Sequence, residues 1–242
     1  MLHPDGCSER AGRILGHPDQ LIANLLDEAD RLSFQPEVLG CVQDDPLVLL
    51  RPAPAAVDRP HLLVAAGFHG DEPAGPLAIL EALGELPAAL LQTTAVTFLP
   101  LVNPSGFRHH RRTNDRGEDP NRGYCHPELG AHPSAEGQVL LEHFPLLLDA
   151  ARDGFLSLHE DWEETHVYLY TSEEAPPAGE LARHLRDRGA CHFALRPDGL
   201  VGNAPVREGI LFQDCDGSLE DLLHHFGVPL AVCTETPGGA PL

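Results

Sequence analysis

Apolar residues recur along the chain with two periods, and the alternation between them predicts the architecture. From Pro18 the segment PDQLIANLLDEADRLS has apolar residues at helical spacing with acidic residues near both ends, which predicts an amphipathic helix. Short apolar runs at VLGCV (38–42) and LVLLR (47–51) predict a strand pair joined by a QDDP turn, and RPAPAAVDRP then reads as a proline-rich surface connection. HLLVAAGF (61–68) is apolar almost throughout, as expected of a strand covered on both faces. A turn, HGDEP, a helical pattern, GPLAILEALGEL, and a second buried strand, AVTFLPLV (95–102), follow. The series continues with a helix around 134–151, strands FLSLH (155–159) and HVYLYT (166–171), helices around 178–188 and 218–226, and the strand PLAVCTE (229–235). Strand and helix in alternation predict an α/β fold with a buried mixed sheet and helices on both faces. Residues 1–242 read as a single domain, with the helix and strand pair of 1–60 packed on it.

Composition narrows the function. A formal charge of −21 repels phosphate backbones and anionic membranes, so neither nucleic acid nor a membrane is an expected partner. All 16 basic residues are arginine, which removes Schiff-base chemistry and a phosphate-loop lysine. The first thirty residues contain no apolar core of secretory type, and no stretch has the length of a membrane span; a cytoplasmic location is expected. The 6 cysteines are scattered without a Cys-x-x-Cys pair, so packed, reduced thiols are expected in place of a disulfide framework.

Polar residues at the ends of the apolar strands carry the candidate chemistry. His69, Asn103, His159 and Glu235 each fall at or just beyond a predicted C-terminal strand end, the edge where open α/β sheets build their sites. His69 and Glu72 are three residues apart and can converge on one cation, although a surface turn would produce the same pair. His159, which ends a predicted strand and is flanked by acids in SLHEDW, is the candidate for the third ligand that a catalytic zinc site needs, although a lone histidine is more often structural or solvated. Five arginines between Arg108 and Arg122 are either a solvated face or a clamp for a substrate carboxylate. Glu235 either caps a loop or takes a proton from an activated water.

Taken together, the motifs resemble the zinc carboxypeptidase family in the broad, carboxypeptidase A-like sense. The resemblance runs through His-Gly-Asp-Glu at 69–72, Asn-Pro-Ser-Gly-Phe from Asn103, Arg112-Thr-Asn114, Gly117 to Asn121-Arg122, His159 and Glu235, in family order. It implies a three-layer α/β/α fold around an eight-stranded mixed sheet. It further implies one zinc ion on His69, Glu72 and His159, Glu235 as general base, Arg112 polarising the scissile carbonyl, and Asn121 with Arg122 holding the substrate's carboxylate. The nearest members in character are small bacterial intracellular ones and the murein-peptide amidases. The family's mobile tyrosine has no counterpart in 200–234, so substrate clamping should differ. Pro120 replaces the expected apolar residue before the Asn-Arg pair. In the stretch 213–221 that resembles the family's pocket lining, Leu219 would favour an apolar side chain, and Asp214, Asp216 or Glu220 a basic one.

The expected activity is therefore that of a metallocarboxypeptidase or peptide amidase cleaving an amide beside a free carboxylate. The rival is an N-acyl amino acid deacylase of the aspartoacylase/succinylglutamate desuccinylase branch, and a third possibility is a catalytically silent binding module on the same fold.

Overall fold

The apolar run after Pro60 becomes β3 (His61–Ala66), an interior strand whose side chains alternate between two cores. Leu63 and Ala65 join one buried cluster, and Val64 and Ala66 the other, as the two-residue repeat of a strand requires. This is the computed structural model of the chain, and it describes residues 14–54, 58–173, 178–212 and 216–238.

Around β3 lie β4 (Ala95–Leu99), β5 (Gly154–Asp161) and β10 (Ala231–Pro237), which run parallel to one another in the order β4-β3-β5-β10. On one flank β1 (Gln35–Val42) and β2 (Asp45–Arg51) form an antiparallel pair, and β2 bonds to β4. On the other flank β6 (Tyr168–Thr171) is antiparallel to β10 and parallel to β9 (Ile210–Phe212). The antiparallel strands β8 (Ala204–Arg207) and β7 (Gly199–Val201) complete that edge.

Helices cover both faces. On one, α1 (Pro18–Arg31) buries Leu21, Leu25 and Ala29 at four-residue spacing and packs on α2 (Ala74–Glu85), where Leu80 and Leu83 meet the same cluster. The short α3 (Ala88–Thr93) and α4 (Pro104–His109) lead into and out of β4. On the opposite face are α5 (Ala135–Glu142), α6 (Phe144–Ala150) and α8 (Leu219–His225), contributing Leu140, Leu147, Leu222 and Leu223 to the second cluster. Helix α7 (Glu180–Gly189) lies against β6 and β10. The arrangement is three-layer α/β/α.

The structure amends the sequence reading in several places. Among the described residues the sheet has ten strands where eight were implied. The predicted helix at 134–151 is two helices, because Pro145 has no N–H to continue the ladder and becomes an opening residue of α6. The N-terminal strand pair is not layered on the domain: it extends the central sheet as its outer edge. No helix among the described residues is long and apolar enough to cross a membrane.

Candidate active site

Strand ends create the site. β3, β5 and β10 terminate side by side in parallel register, with Ala66 beside Leu158 and Glu235 beside His159. After Ala66 the chain turns through Gly67, whose φ of +67° is a conformation glycine adopts without strain, and delivers Phe68, His69 and Glu72 before α2 begins. Gly70 is required for packing, since a Cβ there would overlap the backbone of Gly106 and Phe107. The fully buried Asn103 staples this turn. Its Nδ2 donates to the carbonyls of Phe68 (3.2 Å) and Arg112 (3.1 Å), while its Oδ1 accepts from the Gly106 N–H (2.8 Å) at the start of α4.

His69, Glu72 and His159, all buried, converge. Nδ1 of His69 lies 2.6 Å from Glu72 Oε1, and Nδ1 of His159 lies 2.7 Å from Glu72 Oε2. Thus one nitrogen of each imidazole points to a common centre, and a carboxylate lies behind the opposite nitrogen, within hydrogen-bond reach for His69 only. Asp119 Oδ1 is 3.2 Å from His69 Nε2, and Glu220 Oε1 is 3.8 Å from His159 Nε2. Carboxylates in that position fix imidazole tautomer and orientation in metal sites. Burial opposes ionisation of Glu72, yet the two histidines hold its carboxyl down at about 2. Burial likewise opposes charge on His159, but Glu72 and the neighbouring acids push it up to about 9. The field of the cluster favours positive charge among the three groups, and two nitrogens with one carboxylate form a donor set suited to zinc.

A cavity of about 460 Å³ opens onto this cluster. His69, His159, Arg112, Asn121, Arg122, Glu220 and Glu235 all line it. Burial pushes the Glu235 carboxyl up to about 7, with His159 opposing the shift and Glu72 reinforcing it. Arg112 is half-exposed and bonds Asp119 Oδ2 through Nη2 at 3.1 Å, with Nη1 3.7 Å from Glu72. Arg122 donates to the Asn121 carbonyl at 2.7 Å and lies 3.5 Å from Asp216. The Asn121 side chain is already engaged, its Nδ2 donating to Glu220 Oε2 (3.2 Å) and its Oδ1 accepting from the Leu219 N–H (3.1 Å).

Leu219 is a correction. Its side chain does not line the cavity but packs into the core with Leu222 and Leu223, leaving only its N–H directed toward the site. Asp214 lies outside the described residues. Of the acids named in 213–221, Asp216 and Glu220 reach the cavity wall; the latter is buried and hydrogen-bonded by Ser157 Oγ. Two residues with visible work carry no role in the sequence reading, Asp119 and Tyr170, and Glu220, expected there only as a specificity acid, also holds Asn121. Tyr170 reaches the cavity from β6, opposite Cys233 in register, and lines it together with Phe212. The Asp119 signal was available in the sequence, since it sits two residues before Asn121 inside the arginine-rich motif.

Comparison with known proteins agrees with this geometry. Residues 58–192 match the model of the succinylglutamate desuccinylase/aspartoacylase catalytic domain. The crystal structure of a candidate metallopeptidase from Shewanella amazonensis SB2B is similar at 40% identity and a TM-score of 0.88, covering 93% of this chain and 86% of that one. Another, from Shewanella denitrificans OS217, is also 40% identical, with a TM-score of 0.85 over 93% of this chain and 83% of that one. A metallo-carboxypeptidase from Burkholderia cenocepacia shares the fold at 19% identity and a TM-score of 0.67, covering 89% of this chain and 58% of its own. Curated protein sequences give no match. With more than half of its length inside the domain match and the metal-type cluster in place, the chain belongs to the succinylglutamate desuccinylase/aspartoacylase catalytic-domain family, hydrolases on the zinc carboxypeptidase-like fold.

Proposed function

We propose that the protein is a zinc-dependent hydrolase that cleaves an amide bond next to a free carboxylate, acting on a short peptide or amide of that kind. The observation that carries this reading is the convergence of two imidazole nitrogens on the two oxygens of Glu72, in a cavity also lined by Glu235 and two arginines. His69, Glu72 and His159 would hold the ion, whose chemistry is to act as a Lewis acid and to make a water acidic enough to attack at neutral pH.

The chain's own residues do the rest. Glu235, with its carboxyl near neutrality, accepts a proton from the attacking water and passes it to the departing nitrogen. Arg112, poised at the cavity beside Glu72, faces the charge that builds on the carbonyl oxygen. Arg122 binds the substrate's carboxylate by exchanging its long contact with Asp216 for a charge-assisted one. Asn121 acts through Glu220 and Leu219 to hold this wall in place. Tyr170 and Phe212 cover the apolar part of the substrate and exclude water.

A second reading, deacylation of an N-acyl amino acid, is favoured by the domain match, which covers residues 58–192 and so contains the ligand set and the arginine motif. The peptide reading is supported by the relatives at 40% identity, which are described as candidate metallopeptidases. Both substrates present an amide beside a carboxylate. Zinc-loaded protein assayed against a panel of short peptides with free C-termini and N-acyl amino acids separates them. Turnover of acyl amino acids alone would replace the peptidase reading by the second, and turnover of neither would remove the proposal.

A further inference from the structure

A second group of metal-type side chains lies outside the cluster just described. Cys125, His126 and Asp221 each offer a ligand atom, and these atoms all lie within 4.8 Å of one another. All three are partly buried. Cys125 and His126 follow the Asn121-Arg122 pair, whereas Asp221 stands in the first turn of α8, behind Asp216, Ser218 and Glu220 of the cavity wall. The two segments are laced together already: the Tyr124 N–H donates to the Gly217 carbonyl at 3.0 Å.

The histidine is the informative member. Its Nδ1 lies 3.3 Å from Glu128 Oε1, and a hydrogen bond donated there makes Nε2 the nitrogen available to a ligand. That Nε2 is shielded from water and has no hydrogen-bond partner among the described residues, although Asp221 Oδ2 is only 3.2 Å away. The Asp221 oxygen in turn accepts the N–H groups of Asp216 and Gly217, each at 2.9 Å, which fixes its direction. A ring nitrogen and a carboxylate oxygen at this distance are held by a proton between them or by a metal ion bound to both. A third donor of soft character, the Cys125 thiol, completes the set. Sulfur, imidazole nitrogen and carboxylate oxygen are ligands of borderline-soft divalent ions, and about 3.2 Å between two of them suits bonds of roughly 2.0–2.2 Å to a shared tetrahedral ion.

We propose that Cys125, His126 and Asp221 bind a second divalent metal ion of the zinc type, which clips the loop after Arg122 to the first turn of α8. The ion is separate from the one on His69, Glu72 and His159, and its binding does not depend on which reaction the protein performs. By joining the two segments that carry Arg122 on one side and Asp216 and Glu220 on the other, it sets the spacing of the wall that meets the substrate.

Cobalt(II) chloride, titrated into chelator-treated protein, is the probe. The first equivalent fills a site of nitrogen and oxygen donors; the second should bring a near-ultraviolet thiolate-to-cobalt charge-transfer band. Cys125→Ser should abolish that band, and His126→Gln should weaken the second equivalent at least tenfold. Cys233→Ser is the necessary comparison, because Cys233 lies close to His159 and Glu220, and here it should leave the band intact. In the unmutated protein, cobalt should slow alkylation of Cys125 at least tenfold without protecting the exposed Cys191, a readout that needs no variant to fold. A missing band, a band lost with Cys233→Ser instead of Cys125→Ser, a second equivalent undiminished by His126→Gln, or unprotected Cys125 would each overturn the proposal.

Discussion

Glu235 stands half-buried at the end of β10 with its carboxyl near neutrality, a costly placement for a side chain that had no task. Glu235→Gln keeps the shape and removes the proton acceptor; hydrolysis should fall by about 10²–10⁴-fold or more while bound zinc, measured by atomic absorption, stays unchanged. In the proposed role Glu235 works deprotonated, so kcat/KM should decline as pH falls through its pKa. A nearby dication can only lower that pKa, which puts the midpoint of the acidic limb below about 7. A limb centred well above neutrality would mean that another group is titrating. Asp119→Ala leaves His69 Nε2 without its brace and should weaken zinc by about 10–100-fold in a competition titration, with Asp119→Asn less severe. His69, His159 and Glu235 stood out in the sequence because each is a polar residue where an apolar strand run stops, and Glu72 by its three-residue spacing from His69. The contacts of Asp119 and Glu220 were not legible, since their partners His69 and Ser157 stand 50 and 63 residues away, although Asp119 lies inside the arginine-rich motif and Glu220 inside the lining segment. Leu219 misled for another reason: its place in the lining segment was right, but the helical turn that holds it aims the side chain at the core.

At the scale of elements, the site depends on how closely the turn after β3 approaches the start of α4. Gly70→Ala introduces a methyl group where the Gly106 and Phe107 backbone already sits, so the turn carrying His69 and Glu72 must move. The expected cost is about 3 kcal/mol or more, seen in denaturant unfolding, together with loss of tight zinc binding. A variant with native stability would show that the turn and α4 are not in contact. Ser218 caps α8 through its bond to the Asp221 N–H, and Ser218→Ala should cost about 1 kcal/mol. The long apolar strands β3, β4, β5 and β10, with the helices between them, were legible because their burial on both faces leaves unbroken apolar runs. The flank β7-β8-β9 was not: its strands are three or four residues long, and Gly199 and Leu200 are exposed, so neither length nor alternation sets them apart from loop.

Across the whole molecule, the question is how far the fold relies on its ion. Folding gathers Glu72, Asp119, Glu220 and Glu235 around His69 and His159 in a chain whose formal charge is −21, and burial, with Glu72 adding to it, pushes the Glu235 carboxyl up. A cation that binds the folded state and not the unfolded chain stabilises it by RT ln(1 + [L]/Kd), about 4 kcal/mol at a thousandfold excess over Kd. For a chain of 242 residues, each kcal/mol moves Tm by roughly 2–4 °C, so zinc-loaded protein should melt on the order of 10 °C above chelated protein. His159→Ala separates the two contributions: the part of the shift that disappears belongs to the His69, Glu72 and His159 cluster, and the part that survives belongs to Cys125, His126 and Asp221. If chelation left the Tm of the native protein where it was, the buried acids would have to be balanced by protons and arginines alone, and the reading of this edge as a metal centre would fail.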